Sequence, residues 1–203
     1  MQLTHKVNKI IDFFPTFVPM RPKFSKELCT VLEFAHQEAM RTGCYGIGEA
    51  HLLLAILRSR GSDALRAIEG CGLDKEALKE AADKLIFNDK PIPLDNAPMV
   101  RPTKRAEGVI ALAGYEALRH GTSSVSSSHL LLALCRRIDG QASPLLYEAG
   151  ADYDRLEAYL RTHGMLNSPC SVASVNMETI LGSLGEQLTA LFGASRDKTN
   201  FLS

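Results

Sequence analysis

The chain has no excess of charge of either sign, because 23 lysines and arginines balance 23 aspartates and glutamates over 203 residues. A protein without a global positive field has no general attraction for phosphate backbones or anionic membrane surfaces. It also lacks a long hydrophobic run: the longest, Leu52–Leu57, is about a third of what a membrane-spanning helix requires. We therefore expect neither nucleic acid nor a membrane among its partners.

Cysteine is present but not in any metal-binding or disulfide-rich pattern. The five cysteines form no Cys-x-x-Cys pair and no zinc-finger spacing. The N-terminus also has no apolar stretch followed by a small-residue cleavage site. This usage is typical of a reducing compartment, so we expect a cytoplasmic protein without a metal site.

Motifs for nucleotide and hydrolytic chemistry are missing as well. No Gly-Lys pair exists, so the phosphate-binding loop G-x-x-x-x-G-K-[ST] is absent. Gly46 and Gly48 lack the third glycine of a dinucleotide site and follow a predicted helix rather than a strand. No HExxH, G-x-S-x-G or calcium-loop pattern occurs either. The expectation is a protein that is not an enzyme and that needs no cofactor.

What the chain does contain is an internal repeat. Residues 25–78 recur at 103–156, always 78 positions later, without insertion or deletion and with about a third of the aligned residues identical. The best-matched stretch runs from Gly43 to Ala55 and from Gly121 to Ala133. Such regular self-similarity indicates a duplicated supersecondary unit.

The apolar periodicity of the first repeat predicts four helices. Ser25 can cap the first, which ends before Gly43. The second begins near Gly48 and is apolar almost all round, so it must be central. A third is predicted over Asp63–Glu69, and a fourth follows Asp74 as its cap.

The second repeat has matching signals. Thr103, Ser126 to Ser128 and Asp152 are its caps, and Ser143-Pro144 would open its third helix with proline at the first helical position. A repeat of this size is marginal alone, which favours packing of both into one globule. We predict an all-α fold: a pseudo-twofold, duplicated four-helix repeat with about eight core helices, plus flanking helices at both termini.

Segments outside the repeats complete the predicted organisation. The N-terminal arm is apolar but broken by prolines, and the linker between the repeats is rich in proline and reads as semi-extended. An amphipathic stripe from Met177 to Phe192 either docks on its own globule or bridges to a partner. The predicted division is an arm at 1–23, repeat 1 at 24–87, a linker at 88–101, repeat 2 at 102–163, and a linker with the C-terminal helix at 164–203.

Histidine and cysteine are the candidate catalytic side chains. His51 and His129 precede Leu-Leu-Leu in both repeats, and this shared setting favours a buried imidazole that ties helix to loop over a catalytic one. Cys71 and Cys135 stand where the other copy has apolar residues, which indicates core side chains, and the other three cysteines have no nearby histidine in the sequence to activate them as nucleophiles. We predict no catalytic residue. The two histidines, together with Gly43 and Gly121, are predicted to be a structural signature of the repeat.

These motifs resemble those of a known family. Both first helices close on Arg-x-Gly, at Arg41–Gly43 and Arg119–Gly121, and Ile-Gly-x-x-His-Leu-Leu-Leu at Ile47–Leu54 has a weaker copy at Val125–Leu132. Together they resemble the Clp N-terminal domain, the doubled helical module at the front of Clp/Hsp100 unfoldases. In that family the module performs no chemistry. It is tethered to AAA+ ATPase rings and receives adaptors or substrates, and stand-alone versions associate with Clp machinery.

The resemblance implies a non-catalytic protein-binding module of a Clp/Hsp100 chaperone or protease system, which docks adaptors or unfolded client polypeptides. Its partner would be a Clp/Hsp100 AAA+ ATPase, reached in cis or in trans. One alternative is a free-standing regulator or adaptor that binds a Clp ATPase in trans. A remote alternative is a small Cys or His enzyme.

Binding residues are predicted in the two chemically unequal loops and in the N-terminal arm. Relatives usually have Glu immediately before the signature histidine, where in some of them it contributes to recognition of phosphorylated arginine, but this chain has Ala50 and Ser128 there. An acid one position earlier, at residue 49, is rotated by about 100° on the helix. The resemblance therefore does not carry that ligand to this chain. The predicted protein-binding residues are Tyr45, Glu49, Ala50, Ser127, Ser128 and Phe17.

Overall fold

The computed structural model describes residues 23–86, 90–122 and 124–166, and over these ranges the chain is mostly helical. Each repeat contributes four helices, which confirms the predicted all-α, duplicated architecture. The predicted N-terminal arm and C-terminal helix lie outside the described residues. The first repeat holds α1 (Lys26–Arg41), α2 (Glu49–Arg58), α3 (Asp63–Gly70) and α4 (Lys75–Ile86), and the second holds α5 (Lys104–Arg119), α6 (Ser127–Arg136), α7 (Ala142–Glu148) and α8 (Tyr153–Thr162).

The helix boundaries follow the local signals with one exception. Ser25 Oγ accepts a hydrogen bond from the N–H of Leu28, and Thr103 caps α5 in the same way. Gly43 and Gly121 follow their helices with φ of 73° and 71°, a left-handed conformation that favours glycine. The exception is α7, which begins before Ser143, so Pro144 is its third residue rather than its first. Proline is tolerated there because first-turn N–H groups have no partner within the helix.

The central helices α2 and α6 lie at the middle of a core that both repeats share. Side chains from Leu52 to Leu57 and from Leu130 to Leu134 are at most 3% exposed. The two helices contact each other as well as α1 and α5, and one hydrophobic cluster has members from both repeats. The expected single globule is therefore present over the described ranges.

In the described ranges, four two-residue strands connect the two repeats, although the sequence showed no strand pattern. β1 (Lys23–Phe24) pairs in parallel with β4 (Ser124–Val125), and β2 (Gly46–Ile47) pairs in parallel with β3 (Arg101–Pro102). Two residues are too short for the alternating pattern by which strands are detected. Each ladder joins the start of one repeat to the loop before the central helix of the other.

The linker is anchored rather than a free connector. Leu94–Met99 form a 3₁₀ helix, and Ile92, two residues before it, and Val100, directly after it, are buried. These apolar contacts hold the linker against the first repeat. Within the described part of the chain, no helix is long and apolar enough to cross a membrane.

Candidate protein-binding site

The imidazole of His51 connects the start of α2 to the end of α1. Its Nδ1 accepts a hydrogen bond from the N–H of Gly48 at 2.9 Å, and Nε2 lies 3.0 Å from Oγ1 of Thr42. Because Nδ1 accepts, the neutral ring carries its proton on Nε2 and donates it to Thr42. Burial lowers the pKa of His51 to about 4. The His51 ring is neutral and only 2% exposed, so both of its hydrogen bonds are made to groups inside the protein.

The second repeat builds its histidine site differently. Nδ1 of His129 accepts a hydrogen bond from the N–H of Ser126 at 3.0 Å, as in the first repeat. The counterpart of Thr42 is His120, whose ring centroid lies 5.9 Å from that of His129, and Nε2 of His129 has no hydrogen-bond partner. Burial, followed by the neighbouring His120, lowers the pKa of His129 to about 4.

Metal and thiolate chemistry have little support among the described residues. No group of three or more His, Cys, Asp and Glu side chains lies close enough there to hold a metal ion. Burial raises the pKa of the Cys135 thiol to about 12, and it also raises the pKa of Cys71. A thiol with a raised pKa is a poor nucleophile at neutral pH, because the thiolate is the reactive form.

Glu49 lies between the repeats rather than on the surface. Its side chain is buried, and Oε2 accepts a hydrogen bond from the N–H of Gln141, just before α7, at 2.5 Å. Nε of Arg137 lies 3.3 Å from the other carboxylate oxygen. Gly140 packs so closely that a Cβ at this position would overlap the carboxylate. Glu49 therefore joins the central helix of one repeat to the third helix of the other.

Ser127 occupies the equivalent position in the second repeat and makes the reciprocal contact. Its Oγ accepts a hydrogen bond from the N–H of Ala64 in α3 at 3.1 Å and donates one to Glu27. Glu27 Oε1 also accepts from the N–H of Asp63 at 2.9 Å, and burial raises the pKa of this carboxyl. The first residue of each central helix thus satisfies the start of the third helix of the other repeat.

The predicted binding residues consequently fall into three groups. Ala50, Ser127 and Ser128 are fully buried, and Glu49 is 2% exposed. Phe17 lies outside the described residues. Tyr45 is half-exposed, so it is the member of the predicted set with an accessible side chain in the described ranges.

Tyr45 forms part of an apolar surface with the linker. Its hydroxyl lies 3.4 Å from Nδ2 of Asn96, and its carbonyl accepts a hydrogen bond from the N–H of Arg101 at 2.9 Å. In the same linker segment Leu94 is 83% exposed and Met99 is 61% exposed. We call Tyr45, Leu94 and Met99 the linker surface. Its two linker members were not predicted, because a proline-rich segment has no periodicity that separates inner from outer side chains.

Comparison with known proteins places this architecture in a family. The sequence model of the Clp repeat (R) N-terminal domain matches residues 23–99 and again 101–188. ClpC/MecB of Bacillus subtilis, described as a negative regulator of genetic competence, is 30% identical over 173 residues, which cover 83% of this chain and 21% of that protein. The chaperone ClpB of Oceanobacillus iheyensis is 31% identical over 133 residues, or 66% of this chain and 16% of that protein. The chain thus spans about a fifth of the length of these relatives.

Solved structures show the same fold at lower sequence identity. The N-terminal domain of ClpD from Arabidopsis thaliana matches with a TM-score of 0.55 and 19% identity, over 70% of this chain and 96% of that one. The Hsp104 N-terminal domain from Candida albicans matches with a TM-score of 0.57 and 17% identity, over 70% and 92% of the two chains. With two matches to the family model and a duplicated helical fold shared with these domains, the chain belongs to the Clp repeat N-terminal domain family.

Proposed function

We propose that this chain is a non-catalytic, cytoplasmic protein-binding module that docks adaptors or client polypeptides for a Clp/Hsp100 ATPase. Its relatives include Clp ATPase subunits and a Clp chaperone, of which the chain spans about a fifth. The ATPase ring would be reached in cis or in trans. The observation that carries the proposal is the linker surface, an apolar surface on an anchored segment.

The exposed side chains of the linker surface do not contribute to the hydrophobic core, so the stability of the fold does not explain why they are apolar. Leu94 and Met99 are the first and last residues of the 3₁₀ helix and lie largely in solvent, while the buried Ile92 and Val100 provide the anchoring contacts. Large apolar side chains that are exposed together on one short segment mark a site of contact with other polypeptides. Full burial of each such side chain in a complex would stabilise it by about 1.5–3 kcal/mol.

The surroundings of the described histidines and cysteines also fit a protein-binding function better than a catalytic one. Both signature histidines are buried and accept a hydrogen bond from the N–H of the residue that precedes their helix, and Glu49 accepts one from the N–H of Gln141. The remote alternative of a small Cys or His enzyme therefore has no supporting geometry in the described ranges. Binding through an exposed apolar surface requires none of these groups to move a proton.

The test is binding of a permanently unfolded client, fluorescently labelled carboxymethylated lactalbumin, to the full chain by fluorescence anisotropy. We expect saturable binding that is weakened at least about tenfold by the double substitution Leu94→Ser with Met99→Ser, since two apolar contacts are lost. Ile138→Ser is the matched control, because Ile138 is 85% exposed and lies after α6 in the other repeat. A parallel titration uses a purified Clp ATPase that lacks its own N-terminal domain.

Two outcomes of these titrations would contradict the proposal. If the chain binds neither the unfolded client nor the ATPase, it is not a docking module of this system. If binding occurs but is equally affected by Ile138→Ser, the linker surface does not carry it.

A further inference from the structure

The linker takes a defined path over the C-terminal part of α1. The N–H of Ile92 donates to the carbonyl oxygen of Met40 at 2.9 Å, and Nε2 of His36 lies 3.1 Å from the carbonyl oxygen of Ala97. The Ile92 side chain is 7% exposed, and the Met40 side chain is partly buried against the core. The apolar end of α1 is therefore covered by the chain that follows the first repeat.

The equivalent end of α5 presents apolar side chains to solvent. Leu118 is 78 residues after Met40 and is 55% exposed, and Tyr115, one turn earlier on the same helical face, is 54% exposed. The Leu118 carbonyl accepts from the N–H of Gly121 at 3.0 Å, as the Met40 carbonyl accepts from that of Gly43 at 3.2 Å. The Met40 oxygen uses its second acceptor site for Ile92, so the α5 end offers the same backbone acceptor. We call Tyr115 and Leu118 the α5 face.

The sequence that follows the second repeat also corresponds to the linker at an offset of 78 residues. Proline recurs at 91 and 169 and methionine at 99 and 177, while apolar Ile92 and Leu94 correspond to Cys170 and Val172. This correspondence extends the repeat beyond its helices into the segment that covers α1. Residues 169–177 thus carry the linker pattern into the chain after the second repeat.

We propose that residues 169–177, which lie outside the described ranges, bind across the α5 face as the linker binds across α1. The correspondence stops there for a structural reason. Residues 179–180 would by the same offset pair with β4, but β1 already pairs with that strand. The chain's own segment is the favoured occupant because it alone carries the linker pattern at the required distance along the sequence. This inference is independent of the proposed function.

The experiment is a disulfide-trapping measurement on the full chain with Cys29→Ser and Cys44→Ser, which removes two partly exposed thiols. Leu118→Cys is introduced, Cys170 is retained, and the protein is oxidised mildly with oxidised glutathione. We expect an intramolecular bond between positions 118 and 170, found by peptide mapping, because a residue that bonds to this helix end as Ile92 bonds to Met40 would lie within disulfide distance. Gln37→Cys is the matched control, since Gln37 is the exposed counterpart of Tyr115 in the first repeat; it should give no bond to Cys170.

The outcomes separate the possible occupants of the α5 face. An intramolecular bond that is independent of protein concentration supports the proposal. A bond found only between molecules, and increasing with concentration, would assign the face to a second copy and overturn it. No bond, or equal trapping in the Gln37→Cys control, would also overturn it. Hydrogen exchange gives a second measurement: Leu118→Asp should speed exchange in residues 169–177, whereas Gln37→Asp should leave it unchanged.

Discussion

Glu49 and Gln141, which are 92 residues apart in the sequence, join the two repeats through a carboxylate that accepts a backbone N–H at 2.5 Å. The carboxylate also pairs with Arg137 at 3.3 Å, in surroundings where the glutamate is 2% exposed. Removal of this carboxylate leaves the N–H of Gln141 without its acceptor and leaves Arg137 with Asp139, 3.5 Å from its Nε, as its ion-pair partner. The hydrogen bond therefore couples the stability of α7 to the position of α2.

Glu49→Ala should lower the free energy of unfolding by about 1–3 kcal/mol, because the N–H of Gln141 loses its acceptor and Arg137 loses one of its two ion-pair partners. Urea denaturation followed by circular dichroism measures the change. The control is Glu33→Ala, an exposed glutamate on α1 whose removal should change stability by less than about 0.5 kcal/mol. Equal effects of the two substitutions would show that Glu49 has no special role.

Gly140→Ala tests the close approach of the second repeat to Glu49. A Cβ at position 140 would overlap the carboxylate, which Gln141 and Arg137 hold in place, so we expect a loss of about 1–2 kcal/mol. In a chain that already carries Glu49→Ala the same substitution should have little effect, because the clashing atoms are gone. A double-mutant cycle by urea denaturation measures this coupling. Additive losses would contradict the contact.

The parts of the fold that were predictable are those with local physical signals. Helix starts carry capping side chains such as Ser25, helix ends carry glycines such as Gly43, and the central helices are apolar on all sides. Because these signals occur twice at a constant offset, the duplicated all-α architecture followed from the sequence. The family resemblance followed from the same motifs.

The candidate site was less predictable, because burial there depends on contacts between distant residues. Glu49 and Ser127 have the polar side chains expected of a binding loop. Each is buried instead, because it accepts a hydrogen bond from a backbone N–H at the start of the third helix of the other repeat. Leu94 and Met99 lie in a segment without periodicity, so no sequence pattern distinguished them from the buried Ile92. Glu27, which shares the Ser127 contact, resembles any other first-turn glutamate in the sequence.

Thr42→Val should destabilise the first repeat by about 1–2 kcal/mol, because it removes the acceptor of the buried His51 N–H while preserving side-chain shape. Urea denaturation again measures the loss. Thr30→Val is the control: Thr30 is exposed and its hydroxyl donates only to a carbonyl one turn earlier. If both valine substitutions have the same small effect, the hydrogen bond between Thr42 and His51 does not contribute to stability.

Stability should fall as the pH is lowered below about 6.5, through the two signature histidines. His51 and His129 have an unfolded-state pKa of 6.5 and a folded-state pKa of about 4, so the unfolded chain binds protons first. The stabilisation is complete above pH 6.5 and is lost progressively towards pH 4. Between pH 7 and pH 5 each histidine should remove roughly 2 kcal/mol, since one pKa unit corresponds to about 1.4 kcal/mol. The lowered pKa of His120 acts in the same direction.

The measurement is urea denaturation at intervals between pH 7 and pH 5, a window that lies mostly above the titration of unfolded carboxyl groups. His51→Gln should reduce the pH dependence by the contribution of one ring, because its amide keeps an acceptor for the Gly48 N–H but does not titrate. Comparison of the slope, rather than of absolute stability, separates this effect from any general loss of packing in the variant. Stability that is constant or rises between pH 7 and pH 5 would mean that the two rings are not held neutral by burial. An unchanged slope in His51→Gln would exclude His51 as the titrating group.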